Sequence, residues 1–421
     1  MAMRKISSKR LFIDVLYILM IFFDALAAHI PMGNYLDEGI AVFSIIILLA
    51  YAVRKKCISR LNAALLISSI AAILMGIISN LMYGYVMSAD IIIRDIVGIF
   101  KFFICFKAAD IYLKGKKYYA MKDIIKLTKI IIVMIFTFGV ISLFINIGMG
   151  DSIRFGIRSY KFIYSFYNVL VFNETVLIAV LMTERKSNIG YYIMAFATLL
   201  FTLRTKGIIV IILFVAFRIM QARKNNPILY GSILSKGKYI IPAAIVLVML
   251  TKNKIMTYIS FGKYESIRIG ALVTELSIMC DCFPFGSGFG TYGTSLSYST
   301  GSILYDIYNS INYSMMMNPE VGYASMSDTF WPAIYAQLGI IGFLLYVYGM
   351  FICFKSIKID AIATINQKTA CIFILTYMLV ISLTEAVYLN PTGVTGPLLI
   401  AIIMNMRIEG NATSGKINSI H

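Results

Sequence analysis

The stretch Asp281–Gly293, DCFPFGSGFGTYG, decides the fold class by where it lies. Its last six residues, Gly288–Gly293, fit the G-x-G-x-x-G spacing of a dinucleotide turn. That spacing carries chemistry only when a strand precedes it and a helix follows it in a soluble βαβ unit. The chain around it offers no such unit. Of its 421 residues, 60% are hydrophobic and only 14% are charged. Apolar runs recur along the whole length, each about long enough to cross ~30 Å of hydrocarbon. The reading is an all-α polytopic membrane protein, and the glycines are expected to let the backbone turn tightly and approach a neighbour closely.

Working outward, the runs place about twelve spans near 11–30, 39–53, 61–79, 91–113, 129–148, 165–183, 189–203, 207–222, 239–254, 330–354, 369–388 and 395–406. They form one membrane domain over 1–421, with both termini expected in the cytoplasm. The first run is long and lacks a small-residue cleavage site, so it reads as a span and not as a removable leader. A long loop, 255–329, joins spans nine and ten on the outer side. Long ordered loops are usually functional.

The net charge of +18 has two readings. No basic stripe interleaves with aromatics on a soluble segment, which argues against a nucleic-acid partner. In this threading about 26 of the 38 Lys and Arg fall on the cytoplasmic side and about 10 outside, the bias expected of membrane proteins. The six cysteines show neither zinc spacing nor a disulfide framework.

Ionisable residues in or beside spans are costly and are site candidates by default. Arg204 and Lys206, in TLRTKGIIV, stand at the outer mouth of a tight turn. Arg204 precedes a helix start, where free N–H groups add to an anion site. Span four holds Arg94, Asp95, Lys101, Lys107 and Asp110. Lys107 with Asp110 reads as an inner ion pair; Arg94 could pair with Asp95 or join Arg204. Asp14 and Asp24 are expected to hydrogen-bond neighbouring helices, and Glu174 and Glu385 could line a cavity. The third outer loop adds Arg154, Arg158 and Lys161. The long loop adds Arg268, Glu275, Asp281, Asp306, Glu320 and Asp328. Arginines facing outward beside a bilayer suit a lipid-linked diphosphate, whose oxygens the guanidinium fork grips in pairs. Tyr292, Trp331 and the neighbouring tyrosines suit sugar rings.

The order of these features resembles the O-antigen polymerase and ligase superfamily, bacterial membrane glycosyltransferases acting on undecaprenyl-diphosphate-linked glycans. LLFTLRTKGIIVIIL is similar to the family's basic segment before an apolar helix. ESIRIGALVTELSIMCDCFPFGSGFGTYG looks like its long-loop pattern, and SDTFWPAIYAQLGIIGFLLYV like its closing segment. The likeness covers about the second half of the chain. It implies that Arg204 and Arg268 bind diphosphate, with Arg94, Arg154 and Arg158 near, and that Gly286, Gly288 and Gly290 form the family's spaced-glycine turn. Asp328 lies where ligases carry a His, which favours a polymerase. Asp328 is the expected base, with Glu320 and Glu275 behind it. The implied reaction joins lipid-linked repeat units into O-antigen or capsule-type polysaccharide at the outer face of the inner membrane, without a metal or cofactor. Donor and acceptor glycans, membrane lipid, a flippase and a chain-length regulator are the implied partners. An O-antigen ligase and a lipid-linked oligosaccharide flippase stand as alternatives. The flippase is disfavoured by the absence of two similar halves.

Overall fold

Every expected span with described residues is a helix in the computed structural model, which describes residues 8–54, 59–114, 120–154, 156–184, 188–225, 267–308 and 329–407. Helices α1 (Ser8–Ile21) and α2 (Phe23–Ala27) correspond to the first span. They are followed by α3 (Leu36–Arg54), α4 (Arg60–Tyr83), α5 (Ala89–Leu113), α6 (Met121–Phe144), α7 (Tyr167–Met182), α8 (Ile189–Phe201) and α9 (Thr205–Asn225). After the long-loop helices α10 (Ile267–Asp281), α11 (Ser295–Ser299) and α12 (Leu304–Ile307) come α13 (Trp331–Ile359), α14 (Ile365–Ile381) and α15 (Thr392–Asn405). The expected ninth span, 239–254, lies outside the described residues. Of the described residues 75% are helical. Their one sheet is a hairpin, β1 (Ile153–Arg154) and β2 (Ile157–Arg158), with Ile153 opposite Arg158.

The helix surfaces show which solvent they meet. On α3 and α4 the large apolar side chains Phe43, Leu49, Val53, Ile67 and Leu81 are exposed. Their buried faces carry Ala41, Ser44, Ser68, Ala72, Gly76, Ser79 and Asn80. A soluble protein rarely leaves apolar area of this extent open. Small and hydroxyl residues facing inward are the packing rule of membrane helices. Helices α3, α4, α6 and α13 are long and apolar enough to cross a bilayer; α7, α8, α14 and α15 are apolar but shorter. The chain is an all-α membrane protein. At its centre are α7, buried at every position from Leu170 to Met182, and α15, buried at nearly every position.

Polar contacts gather at the helix ends in two sets. One set joins Arg10 to Asp123, Lys114 to Asp360 at 3.2 Å, Lys129 to Glu184 at 2.7 Å and the Gln221 side chain to that of Asn366 at 2.6 Å. The other joins the Ser165 N–H to Asp24 at 2.8 Å, Lys206 to Glu385 at 2.5 Å and the Trp331 indole to Ser382 at 2.7 Å. Lys101 belongs to this second set: its ammonium meets Asp37 at 2.5 Å and also donates to the Leu389 carbonyl. Lys107 and Asp110 pair at 2.8 Å, as expected.

The glycine stretch lies in the second set, wedged into a broken helix. Gly339, with φ +63°, interrupts α13, so carbonyls in the turn before it lose their helical partners. The Ser287 N–H donates to the Ala336 carbonyl and the Gly288 N–H to the Gln337 carbonyl, both at 2.9 Å. On the other side, the Phe289 N–H donates to Asn80 Oδ1 at 2.7 Å and the Gly290 N–H to Asp95 Oδ2 at 2.8 Å. Asn80 Nδ2 returns bonds to the Phe289 and Val86 carbonyls, and Gln337 Nε2 donates to the Tyr292 carbonyl. Irregular backbone buried among membrane helices is tolerable only with its polar groups met in this way. The tight turn and close approach expected of the glycines are both present. Gly286 and Gly288 have φ of +82° and +96°, and a Cβ on Gly288 would fall 2.8 Å from the Asn80 backbone nitrogen.

Candidate functional site

Arg204 is presented by a strained turn. Leu203 adopts a left-handed conformation, φ +51°, rare for a residue with a branched side chain. Thr202 braces the turn: its hydroxyl accepts from the Arg204 N–H at 3.3 Å and donates to the Leu199 carbonyl at 2.6 Å. The guanidinium then lies over the Tyr167 ring, 4.1 Å from its centroid. The Tyr167 hydroxyl accepts from the Asp151 and Ser152 N–H groups at 3.1 and 3.0 Å. One tyrosine thus holds Arg204 on its face and the start of the third outer loop on its edge. Arg204 Nη2 reaches Ser152 Oγ at 3.4 Å.

The electrostatics of this cluster are one-sided. Burial, and then the neighbouring Arg154, disfavour the charged form of Arg204. No carboxylate pairs with it among the described residues, and its Nε–H is buried with no partner there. A part-buried guanidinium with one N–H unmet forms a site that an anion completes. Arg158 is on the same hairpin, and Lys161 pairs with Asp151.

Beside this cluster, across the first turn of α7, opens a cavity of about 640 Å³. Phe166 and Asn168, which flank Tyr167, line it, as do Arg94, Glu38, Asn390 and the segment Thr294–Leu296. Glu385, the partner of Lys206, also lines it and so links the Arg204 turn to the cavity wall. The glycine turn places that wall: Asp95, which grips Gly290, lines the same cavity, and Thr294 follows Gly293 directly.

The other sequence candidates separate. Arg94 does not pair with Asp95, whose carboxylate receives the Gly290 N–H; it faces the cavity instead. Gly286, Gly288 and Gly290 are buried against Gln337, Asn80 and Ile91, so they shape the site from behind. Tyr292 is buried and stacks on Tyr305 at 4.5 Å between centroids. Trp331 packs on Phe330 and Phe343 and bonds Ser382. Glu275 is buried, its Oε1 against Gly293 and its Oε2 without a partner among the described residues. Burial pushes its carboxyl well above the usual carboxylate range. Asp328, Glu320 and the side chain of Arg268 lie outside the described residues. Glu385 lines the cavity as expected, while Glu174 is buried within α7. No group of three His, Cys, Asp or Glu that could hold a metal occurs among the described residues.

Sequence reasoning missed Asp37 and Glu38 as parts of this site, whereas Lys101, a candidate within span four, lines it. The signal was the acid pair Asp37-Glu38 opening the second span, where acids favour a helix start and draw no notice. No protein-family model matches the chain, and no curated protein matches it. Fold and site together define an all-α membrane protein with a half-buried arginine turn, without an ion pair among the described residues, beside a cavity lined by both charged and apolar groups.

Proposed function

We propose that the chain is a bacterial inner-membrane glycosyltransferase that polymerises undecaprenyl-diphosphate-linked repeat units into O-antigen or capsule-type polysaccharide. The observation that carries this reading is Arg204, part-buried with an unmet N–H and no carboxylate partner among the described residues, next to a sugar-sized cavity. The arginines hold the diphosphate of the donor. An acceptor hydroxyl attacks the donor's anomeric carbon, the bond to the diphosphate breaks, and the arginines offset the charge left on the leaving group. The resemblance gives the hydroxyl proton to Asp328. A flippase supplying the lipid-linked units and a chain-length regulator are the partners this reaction requires.

The twelve-span threading belongs to the same proposal, with the Arg204 turn on the periplasmic side. Its support is the sorting of contacts: the ion pairs of the first polar set join cytoplasmic segments and inner span ends, and those of the second involve outer segments or outer span ends, with Lys101 reaching Asp37 from within span four. Ser299, exposed at the end of α11, tests it. A cysteine introduced there in a Cys280→Ser background should react with an impermeant maleimide in intact spheroplasts. Labelling only after lysis would place the site on the wrong side.

Deleting the gene in an organism that makes lipopolysaccharide should leave its lipid A core capped with single repeat units, because the ligase remains. Bare core with accumulated lipid-linked polymer would make the chain a ligase. In the deleted strain, Asp328→Asn keeps size and removes the proton acceptor. If Asp328 is the base, this lowers polymer output by ~10²–10³-fold, within the range for a lost base. Full-length polymer at the normal rate would move the base elsewhere.

A further inference from the structure

The cavity holds seven charged side chains, and their pairing singles out two of them. Asp24 receives the Ser165 N–H, and Asp95 receives the Gly290 N–H. Asp37 is bound by Lys101 and Glu385 by Lys206. That engages four carboxylates and one cation in holding the walls. Glu38 and Arg94 remain, each without a hydrogen bond or ion pair among the described residues, though their charges act on one another. Glu38 is half-buried and opens α3; Arg94 is exposed, one turn into α5.

The chemistry of the wall selects the ligand. Carboxylates outnumber cations, so a second phosphate is a poor fit. Amides from Asn168 and Asn390 and hydroxyls such as Thr392 offer mixed donors and acceptors. A volume of about 640 Å³ takes one or two sugar rings. The phosphate-binding arginines lie outside it, across Tyr167. Charge is thus divided between a cationic cluster and an acid-and-amide chamber.

We infer that this chamber binds the acceptor sugar, with Glu38 as the base that takes the proton from its attacking hydroxyl and Arg94 as the group that orients that hydroxyl. The inference rests on the glycosyltransferase reading and replaces Asp328 as the base. In the step, the hydroxyl oxygen forms a bond to the donor's anomeric carbon. The electron pair of the anomeric C–O bond leaves on the lipid diphosphate, and the proton goes to a Glu38 carboxylate oxygen, from which bulk water removes it. Asp24, Asp37, Asp95, Arg94, Lys101 and Glu385 line the same cavity as this carboxylate; burial and Asp37 push its carboxyl up, and Lys101 and Arg94 oppose them.

The experiment uses the full chain in nanodiscs with lipid-linked repeat units extracted from the deletion strain. Three variants are read in parallel: Glu38→Gln, Glu38→Asp and Arg204→Ala. Glu38→Gln should lose polymerisation ~10²–10⁴-fold, the range for a lost base, and Glu38→Asp should keep a measurable rate. Wild-type rate should fall as pH drops through the carboxylate range, while the residual rate of Glu38→Gln stays flat. A normal rate or an unchanged pH profile in Glu38→Gln, with Arg204→Ala inactive, overturns the inference and leaves the glycosyltransferase reading intact. If wild-type protein makes no polymer, or Arg204→Ala is fully active, the reading itself falls. A second arm avoids Glu38 altogether. Asn390→Cys in a Cys280→Ser background should be modified by a maleimide from the outer side, with loss of activity, and lipid-linked repeat units should slow the modification. Modification that leaves the rate unchanged also overturns the chamber's role.

Discussion

Arg204→Ala should leave cells with single repeat units in place of polymer. The side chain is half-buried, carries a buried N–H with no partner among the described residues, and shares its surroundings with Arg154. A part-buried cation with an unmet N–H is costly in the apoprotein, and the free energy is recovered when an anionic group arrives. Removing one preorganised donor from a developing anion typically lowers rate ~10²–10³-fold. The second arginine cannot supply the missing fork. Arg204→Lys should fail nearly as badly, because an ammonium offers a point charge and cannot lie flat on the Tyr167 ring while gripping two oxygens. Protein level should hold, since Tyr167 keeps its bonds to the Asp151 and Ser152 N–H groups. Tyr167→Phe is the converse probe: it keeps the ring under Arg204 and releases the outer loop. Its loss should be smaller than that of Arg204→Ala. Polymer of wild-type length in both Arg204 variants would remove the diphosphate site.

What the sequence made legible divides along one physical line. Hydropathy runs show which segments must leave water, so the helices fall where apolar residues accumulate. Spacing along one helix shows local pairs, so Lys107 and Asp110, three residues apart, could be read. Partners on different helices leave no such trace. Lys101 meets Asp37, sixty-four positions earlier, and the Leu389 carbonyl on the far side of the chain. Arg94 and Asp95 are adjacent in sequence yet point to different neighbours, because successive helical positions diverge by about 100°. The segment LGIIG, 338–342, reads as uninterrupted apolar helix. Only the arrival of the glycine turn explains why Gly339 breaks it. Glu275 reads as a loop acid open to water; packing against Gly293 makes it a buried group instead. Trp331 reads as a sugar platform, and its indole N–H is instead committed to Ser382.

The glycine turn yields the largest expected effect on stability. Gly286 has φ +82°, and a Cβ there would fall 2.3 Å from the Gly339 nitrogen and 2.6 Å from the Gln337 carbonyl oxygen. Both are backbone atoms, so no side-chain rotation relieves the clash. Gly286→Ala therefore combines a left-handed conformation, costing ~1–2 kcal/mol, with overpacking of ~1–3 kcal/mol. If the turn withdraws instead, the Ala336 and Gln337 carbonyls lose the Ser287 and Gly288 N–H groups, at ~1–3 kcal/mol for each buried group left unmet. Either route takes a large share of the ~5–15 kcal/mol that holds a typical domain folded. Gly301→Ala is the matched control: its φ is +66°, but open space surrounds it, so only the conformational cost applies. In detergent, thermal unfolding of Gly286→Ala should begin well below that of Gly301→Ala, which should differ little from the wild type. Its yield from membranes should fall in the same order. Equal midpoints for the two variants would mean that the wedge between loop and broken helix contributes no stability. In that case the cavity wall at Thr294–Leu296 would need another support.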